Sequence, residues 1–173
     1  MLVEILPIGD LDPSIKREAS SALRNVFGVQ VSFLEKKHVP ENIYDKLREQ
    51  YRAERLLEFS SRLCREDKIL AITEDDIYYT GRNYVFGLAY LGGNASIVST
   101  YRLRKETGRN FSKKTDNEVF TERVRKEVVH EIGHTFGLEH CDNNRCVMSF
   151  SPTVQDVDRK EEYLCGGCRR ELD

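Results

Sequence analysis

No tryptophan occurs in this sequence, and it has only two methionines and four prolines. No apolar stretch approaches the ~20 residues that a bilayer demands, the longest being broken by Gly87 and Gly92, so a membrane-spanning helix is not expected. An excess of one charge is missing too: 27 Lys and Arg face 29 Asp and Glu, a net charge of −2. Without surplus cations to neutralise phosphates, neither a nucleic-acid partner nor a polybasic membrane contact is expected. The N-terminal run Met1-Leu2-Val3-Glu4-Ile5-Leu6 has no basic region and carries an early acid, unlike a signal peptide, so a cytoplasmic location is the expectation. There is no repeat, low-complexity tract or linker. Hydrophobic residues at 39% and charged ones at 32% exclude disorder, collagen and coiled coil as descriptions of the whole chain. One domain spanning residues 1–173, acting as a monomer, is the simplest reading.

Leu2 to Ile8 reads as a buried strand. Asp12-Pro13 supplies a cap and a first-turn proline for a helix ending at Gly28. Val29, Val31 and Phe33 alternate as a second strand. Between Glu41 and Arg65, Tyr44, Leu47, Tyr51, Leu56, Phe59 and Leu63 recur at helical spacing and predict one long helix. Ile69 to Thr73 is a third strand, followed by the acidic turn Glu74-Asp75-Asp76. Tyr84–Leu91 and Ala95–Leu103 form a hairpin about Gly92-Gly93-Asn94. This order predicts an α/β (α+β) fold around a mostly parallel sheet with one antiparallel edge strand. After a basic loop from Arg102 to Lys114, Thr115-Asp116-Asn117-Glu118 is a capping box that opens a helix running to Gly137. The tail is expected to be irregular, with a short helix between Val154 and Tyr163.

Chemistry-bearing residues are concentrated near the C-terminus. His130, His134 and His140 fall within eleven residues, and four of the five cysteines, Cys141, Cys146, Cys165 and Cys168, follow them. Cys64 and His38 stand apart and read as residues without chemistry. His130 and His134, four apart on a helix, aim at one ion. Phe120, Val124, Val128, Ile132 and Phe136 form the opposite, core-facing stripe. Gly137 can take the left-handed conformation that ends the helix and turns the chain so that His140 returns. Three neutral nitrogens and a water make a catalytic zinc site with an open position. Glu131, beside the first ligand, reads as general base toward a zinc-bound water. In an alternative arrangement a later glutamate, Glu161 or Glu162, is the third ligand, leaving Gly137 and His140 without a role. In a reducing compartment the four cysteines read as a second, structural zinc site, with two disulfides as the alternative. His140 and Cys141, adjacent in the chain, would face the two ions, set on the order of 10 Å apart.

The pattern His130-Glu131-x-x-His134-x-x-Gly137-x-x-His140, followed by Cys146-Val147-Met148, resembles the metzincin signature with its methionine turn. The cysteine spacing resembles one branch, the archaemetzincins, with weaker likenesses at Phe86-Gly87-Leu88-Ala89 and in an Arg48-Glu49-Gln50-Tyr51 helix. The resemblance implies a metzincin-like twisted five-stranded sheet with an active-site helix beneath a horizontal cleft. It divides the chain into residues 1–137, with the sheet and that helix, and 138–173, with the third histidine, the methionine turn and a four-cysteine zinc site. It also implies a zinc-dependent metallopeptidase that hydrolyses peptide bonds and holds two zinc ions. The edge strand, Val85, Phe86, Gly87, Leu88 and Ala89, would pair with an extended peptide, and Phe150 and Ser151 would wall a side-chain pocket. Several metzincins carry a tyrosine where Phe150 stands, and Phe150 has no hydroxyl to donate. No inhibitory pro-segment is apparent. The competing reading is a zinc-stabilised module that binds peptide without turnover; Glu131 argues against it, since binding alone needs no base.

Overall fold

A computed structural model describes residues 1–105 and 113–172, so part of the basic loop read at Arg102–Lys114 lies outside the described residues. β1 (Leu2–Ile8) leads to α1 (Pro13–Phe27), whose first turn is capped by the Asp12 carboxylate accepting from Ser14 N–H. β2 (Gln30–Phe33) follows, then the very short β3 (Tyr44–Asp45) and β4 (Gln50–Arg52), α2 (Ala53–Leu63), β5 (Lys68–Thr73) and β6 (Ile77–Tyr78). The hairpin strands are β7 (Gly87–Ala89) and β8 (Ala95–Ser99); α3 (Asp116–Thr135), α4 (Val154–Arg159) and α5 (Gly166–Leu172) complete the chain.

The main sheet has the order β2-β1-β5-β8-β7, parallel except for β7, which runs antiparallel along the edge. This is the expected mixed sheet. Alternation along each strand sends side chains to two cores. Val3, Ile5, Leu70, Ile72 and Val98 meet α1 and α3, including Phe120, Val124, Val128 and Ile132 of the predicted stripe. Leu6, Ile8, Ile69, Ala71, Ala95 and Ile97 meet Ala53, Leu56 and Leu57 of α2 on the opposite face. The capping box of α3 forms as predicted, with Glu118 N–H donating to Thr115 Oγ1 and Thr115 N–H donating to Glu118.

Three expectations need correction. Glu41–Arg65 is not one helix: a 3₁₀ turn at Glu41–Ile43 and a small three-stranded sheet, β3-β4-β6, precede α2. The Asp45 carboxylate accepts from Leu47 and Arg48 N–H at 3.1 and 3.2 Å, and Glu49 takes a left-handed φ of 54°, which reverses the chain. Tyr44 and Tyr51, seven apart as on a helix, instead pair across the hairpin with ring centroids 4.9 Å apart. Arg48-Glu49-Gln50-Tyr51 is therefore turn and strand. Second, Tyr84–Leu91 and Ala95–Leu103 contain only short paired segments, and the latter ends in a 3₁₀ turn at Arg102–Arg104. Third, the tail is less irregular than expected, since α5 follows α4.

Candidate active site

Helix α3 lies under the edge strand and delivers His130, Glu131 and His134 to a cleft of about 890 Å³. The helix stops where the sequence predicts. Gly137 adopts φ +93°, its N–H bonds the His134 carbonyl at 2.9 Å, and Leu138 N–H bonds that of Gly133 at 3.2 Å. This pairing satisfies two carbonyls that a helix end otherwise leaves open. Lys68 adds its ammonium to the Thr135 carbonyl at 2.7 Å, a cation where the helix dipole favours one. Beyond Gly137 the chain doubles back and brings in His140.

The nitrogens of His130, His134 and His140 lie within 4.8 Å of one another, with Nε2 of His130 and His134 at 3.0 Å. His130 Nδ1 is 2.8 Å from the Val147 carbonyl and His134 Nδ1 is 2.7 Å from that of Leu138. A carbonyl only accepts, so each Nδ1 carries the hydrogen and each Nε2 keeps a lone pair for the shared point. Burial pushes both imidazoles below their ordinary pKa, His130 furthest, with the ammonium of Lys160 acting in the same direction. His140, at the cleft mouth, is lowered by the same two causes and by Arg82. Three neutral, converging, pre-oriented nitrogen donors fit a zinc ion.

Glu131 is 5% exposed; burial, then repulsion from Glu127, pushes its carboxyl well above the usual range, while Lys160 opposes the rise. It fits because the edge strand has no side chain above it. A Cβ on Gly87 would stand 2.5 Å from Glu131 Oε1 and 2.6 Å from its Cγ. Gly133 serves the other side of α3 similarly: a Cβ there would overlap the sulfur of Met148, which is fully buried.

The four cysteine sulfurs form a second group within 4.8 Å, with Cys141–Cys165 and Cys146–Cys168 each at 3.8 Å. All are free thiols, and a disulfide would need about 2.05 Å, so that alternative is set aside. Thiolates about 2.3 Å from a tetrahedral zinc lie about 3.8 Å from each other, so this donor set also fits. Cys165 N–H donates to Cys146 Sγ at 3.3 Å. Donation from Cys168 N–H, outweighing burial, lowers the Cys165 thiol to about 7, whereas burial and the neighbouring sulfurs raise Cys168. Gly166 and Gly167 open α5 without positive φ, so the turn does not draw on their left-handed freedom.

Neither alternative third ligand reaches the histidines. Glu162 is bound by Arg125 at 2.6 and 2.8 Å, and Glu161 is bound by Arg145. Val85 to Ala89, Phe150 and Ser151 all line the cleft. Sequence reasoning missed Gly133, the Val147 and Leu138 carbonyls, and the wholly buried ion pair of Lys160 with Glu127 at 2.8 Å. Glu127, one helical turn before Glu131 and lining the cleft, could have been found by that spacing. Lys160 offered no comparable signal. Among the described residues no helix is long and apolar enough to cross a membrane.

Residues 16–173 match the model of peptidase family M54. An archaemetzincin of Haloquadratum walsbyi is 57% identical over 172 residues, covering 99% of each chain. The crystal structure of an archaemetzincin from Archaeoglobus fulgidus superposes with a TM-score of 0.85 at 37% identity, covering 99% of each chain. A zinc-dependent peptidase from Methanocorpusculum labreanum gives a TM-score of 0.79 at 31% identity, covering 99% of this chain and 100% of that one.

Proposed function

The chain belongs to peptidase family M54, the archaemetzincin group of zinc metallopeptidases, and from that premise we propose that Glu131 is its general base and that His130, His134 and His140 hold the catalytic zinc. The observation that carries this reading is the convergence of three oriented imidazoles beside a carboxylate for which Gly87 leaves room. When bound, zinc supplies Lewis acidity that makes a water nucleophilic near neutral pH and polarises the scissile carbonyl. Glu131 takes a proton from the attacking water at its carboxylate and passes it to the leaving amine nitrogen. The Val147 and Leu138 carbonyls hold His130 and His134 in the ligating tautomer, and Met148 packs beneath the helix at Gly133.

The substrate is an extended peptide lying along β7. Tyr90 N–H and the Phe86 carbonyl bond toward β8, so by alternation Gly87 and Ala89 turn their backbone groups outward. Pairing there gives affinity with little sequence preference, while Phe150 and Ser151 wall a pocket that adds selectivity. Cys141, Cys146, Cys165 and Cys168 hold a second, structural zinc that ties residues 138–173 to the end of α3, so the whole chain works as one peptidase domain. Four thiolates leave that ion no open position for water.

A zinc-stabilised module that merely bound peptide would have no use for a buried carboxylate beside the ligands. Digestion of a peptide library by wild type and by Glu131→Ala, read by mass spectrometry, tests this directly. New termini are expected with wild type alone; equal cleavage by both would remove the assignment. Ala89→Pro should weaken peptide binding without lowering the melting temperature, and undiminished affinity would remove the edge-strand model.

A further inference from the structure

The cleft carries a cation that hydrolysis leaves without a task. Arg82 is the only Lys or Arg among the described residues lining it, and it sits at the end where Phe150, Ser151 and Pro152 form the wall. Its guanidinium carbon is 5.2 Å from the centre of the Phe150 ring, and that ring is 5.1 Å from the ring of His140. Phe150 thus lies between Arg82 and a metal-binding histidine.

The backbone beneath Arg82 is tied at several points. Arg48 Nη2 donates to the carbonyls of Arg82 and Asn83 at 3.0 and 3.2 Å, and Arg82 N–H donates to the Tyr79 carbonyl at 2.9 Å. Tyr84 Oη donates to the Pro152 carbonyl at 2.8 Å, joining this loop to the pocket wall. The neighbouring cations are already engaged. Arg48 is held by those carbonyls and by Gln50, and Arg102 is held by Asp76 at 2.7 Å. Of the cleft's other carboxylates, Glu127 belongs to Lys160, and Glu139, exposed at the mouth, forms no ion pair with Arg82. No carboxylate among the described residues pairs with Arg82.

We propose that Arg82 is a specificity-determining residue that binds a carboxylate of the peptide on the Phe150 side of the scissile bond. That carboxylate is either an acidic side chain or the peptide's own C-terminus. A guanidinium within cation–π reach of an aromatic ring can still present its edge, and that edge is a fork of N–H donors matched to a carboxylate. Such charge-assisted, two-pronged bonds are among the stronger polar contacts and carry geometric selectivity. The compact ammonium of a lysine would not offer the fork. Phe150, which lacks the hydroxyl that several metzincins have at this place, thereby serves as the platform for Arg82.

The inference rests on the zinc-peptidase reading, and the experiment keeps the two apart. Four hydroxamates share a metal-chelating head and differ in a two-residue tail: Leu-Ala amide, Glu-Ala amide, Leu-Glu amide and Leu-Ala free acid. Their affinities for zinc-loaded wild type, Arg82→Gln, Arg82→Lys and His134→Ala are measured by calorimetry. At least one acidic tail should bind wild type about tenfold tighter than the neutral amide. The free acid winning assigns the site to a C-terminus, whereas a glutamate tail winning assigns it to a side chain. The preference should vanish in Arg82→Gln and return only in part in Arg82→Lys, with unchanged melting temperatures. Equal affinity of all four compounds for wild type, or a preference surviving Arg82→Gln, overturns the proposal. If the neutral amide binds wild type no better than His134→Ala, the metal site beneath it is overturned instead, and the proposal falls with it.

Discussion

Adding one methyl group at Gly87 tests whether the edge strand is shaped around the carboxylate proposed as general base. The new Cβ would stand 2.5, 2.6 and 2.7 Å from Oε1, Cγ and Cδ of Glu131. Ordinary carbon contacts begin at about 3.5 Å, so either the carboxylate or the strand must shift by about 1 Å. The strand is held by its register with β8, from Gly87↔Val98 to Ala89↔Ser96. Glu131, with 5% of its surface exposed, lines the cleft, which is the open space beside it. The carboxylate should therefore swing away from the place where, on the proposed mechanism, it would meet the attacking water. A misplacement of about 1 Å typically costs on the order of 100-fold in rate, or about 2.7 kcal/mol of transition-state stabilisation. For Gly87→Ala, kcat on a peptide identified from the library should fall by about that factor, while zinc content and far-ultraviolet dichroism stay at wild-type values. Tyr90→Phe, just past the same strand and outside the cleft lining, is the control. A Gly87→Ala enzyme turning over within about threefold of wild type would refute the argument, because the carboxylate would then not need this space.

Metal analysis should give about two zinc per chain, falling to about one in His134→Ala, which keeps the four-thiolate site. Cys165→Ser should lose the structural ion and lower the melting temperature markedly, since such a site can hold on the order of 10 kcal/mol. In the metal-free protein Cys165, lowered to about 7 by donation from Cys168 N–H, should be alkylated first by iodoacetamide. Thiolate is the reactive form and accumulates as pH rises through the pKa, so the rate should climb between about pH 6 and 8, with buried Cys168 last. Phe150→Tyr, which adds a donor at the cleft wall, should raise kcat several-fold if its hydroxyl reaches the developing oxyanion, whereas an unchanged rate would place that hydroxyl out of reach.

What could be read from the sequence follows from how local each signal was. The histidine helix was legible because i, i+4 spacing, a capping box and Gly137 are statements about one segment and its own backbone. The parallel sheet was legible because strands and helices alternate and Gly92-Gly93 marks a hairpin. The stretch from Tyr44 to Arg52 was misread because its order depends on residues far along the chain. Gln50 Nε2 bonds Asp76 and the Asn83 carbonyl, both at 2.9 Å, and Tyr51 N–H bonds the Asp76 carbonyl at 2.9 Å. Apolar spacing alone does not distinguish a helix from two tyrosines facing each other across a tight hairpin. The supports around the site were hidden for a related reason. Gly87 against Glu131 and Gly133 against Met148 are contacts between elements, and a glycine in sequence does not announce what fills the space it leaves.

The two candidate metal-binding groups share their scaffolding more closely than chain order suggests. Cys146, Val147 and Met148 are consecutive, and each serves a different part of the centre. Cys146 belongs to the thiol cluster, the Val147 carbonyl fixes the His130 tautomer, and Met148 fills the space left by Gly133. The segment is anchored from both sides: Val147 N–H bonds the Tyr163 carbonyl at 3.2 Å, and the Met148 carbonyl accepts from Cys141 N–H at 3.0 Å. Cys141 directly follows His140. Two of the three histidines therefore depend on residues whose neighbours are held by the sulfurs. The core beneath is small, built from Ala22, Val26, Val129, Leu138, Val147 and Met148 with the cysteines themselves, and offers little apolar area to hold a tail in register. An ion bound by the four thiolates, as proposed, would supply that rigidity locally. Carbonyls that orient metal-bound histidines typically govern 10- to 100-fold of metal affinity, so loosening the cysteine group should reach the proposed catalytic ion through Val147 and His140 without touching either ring.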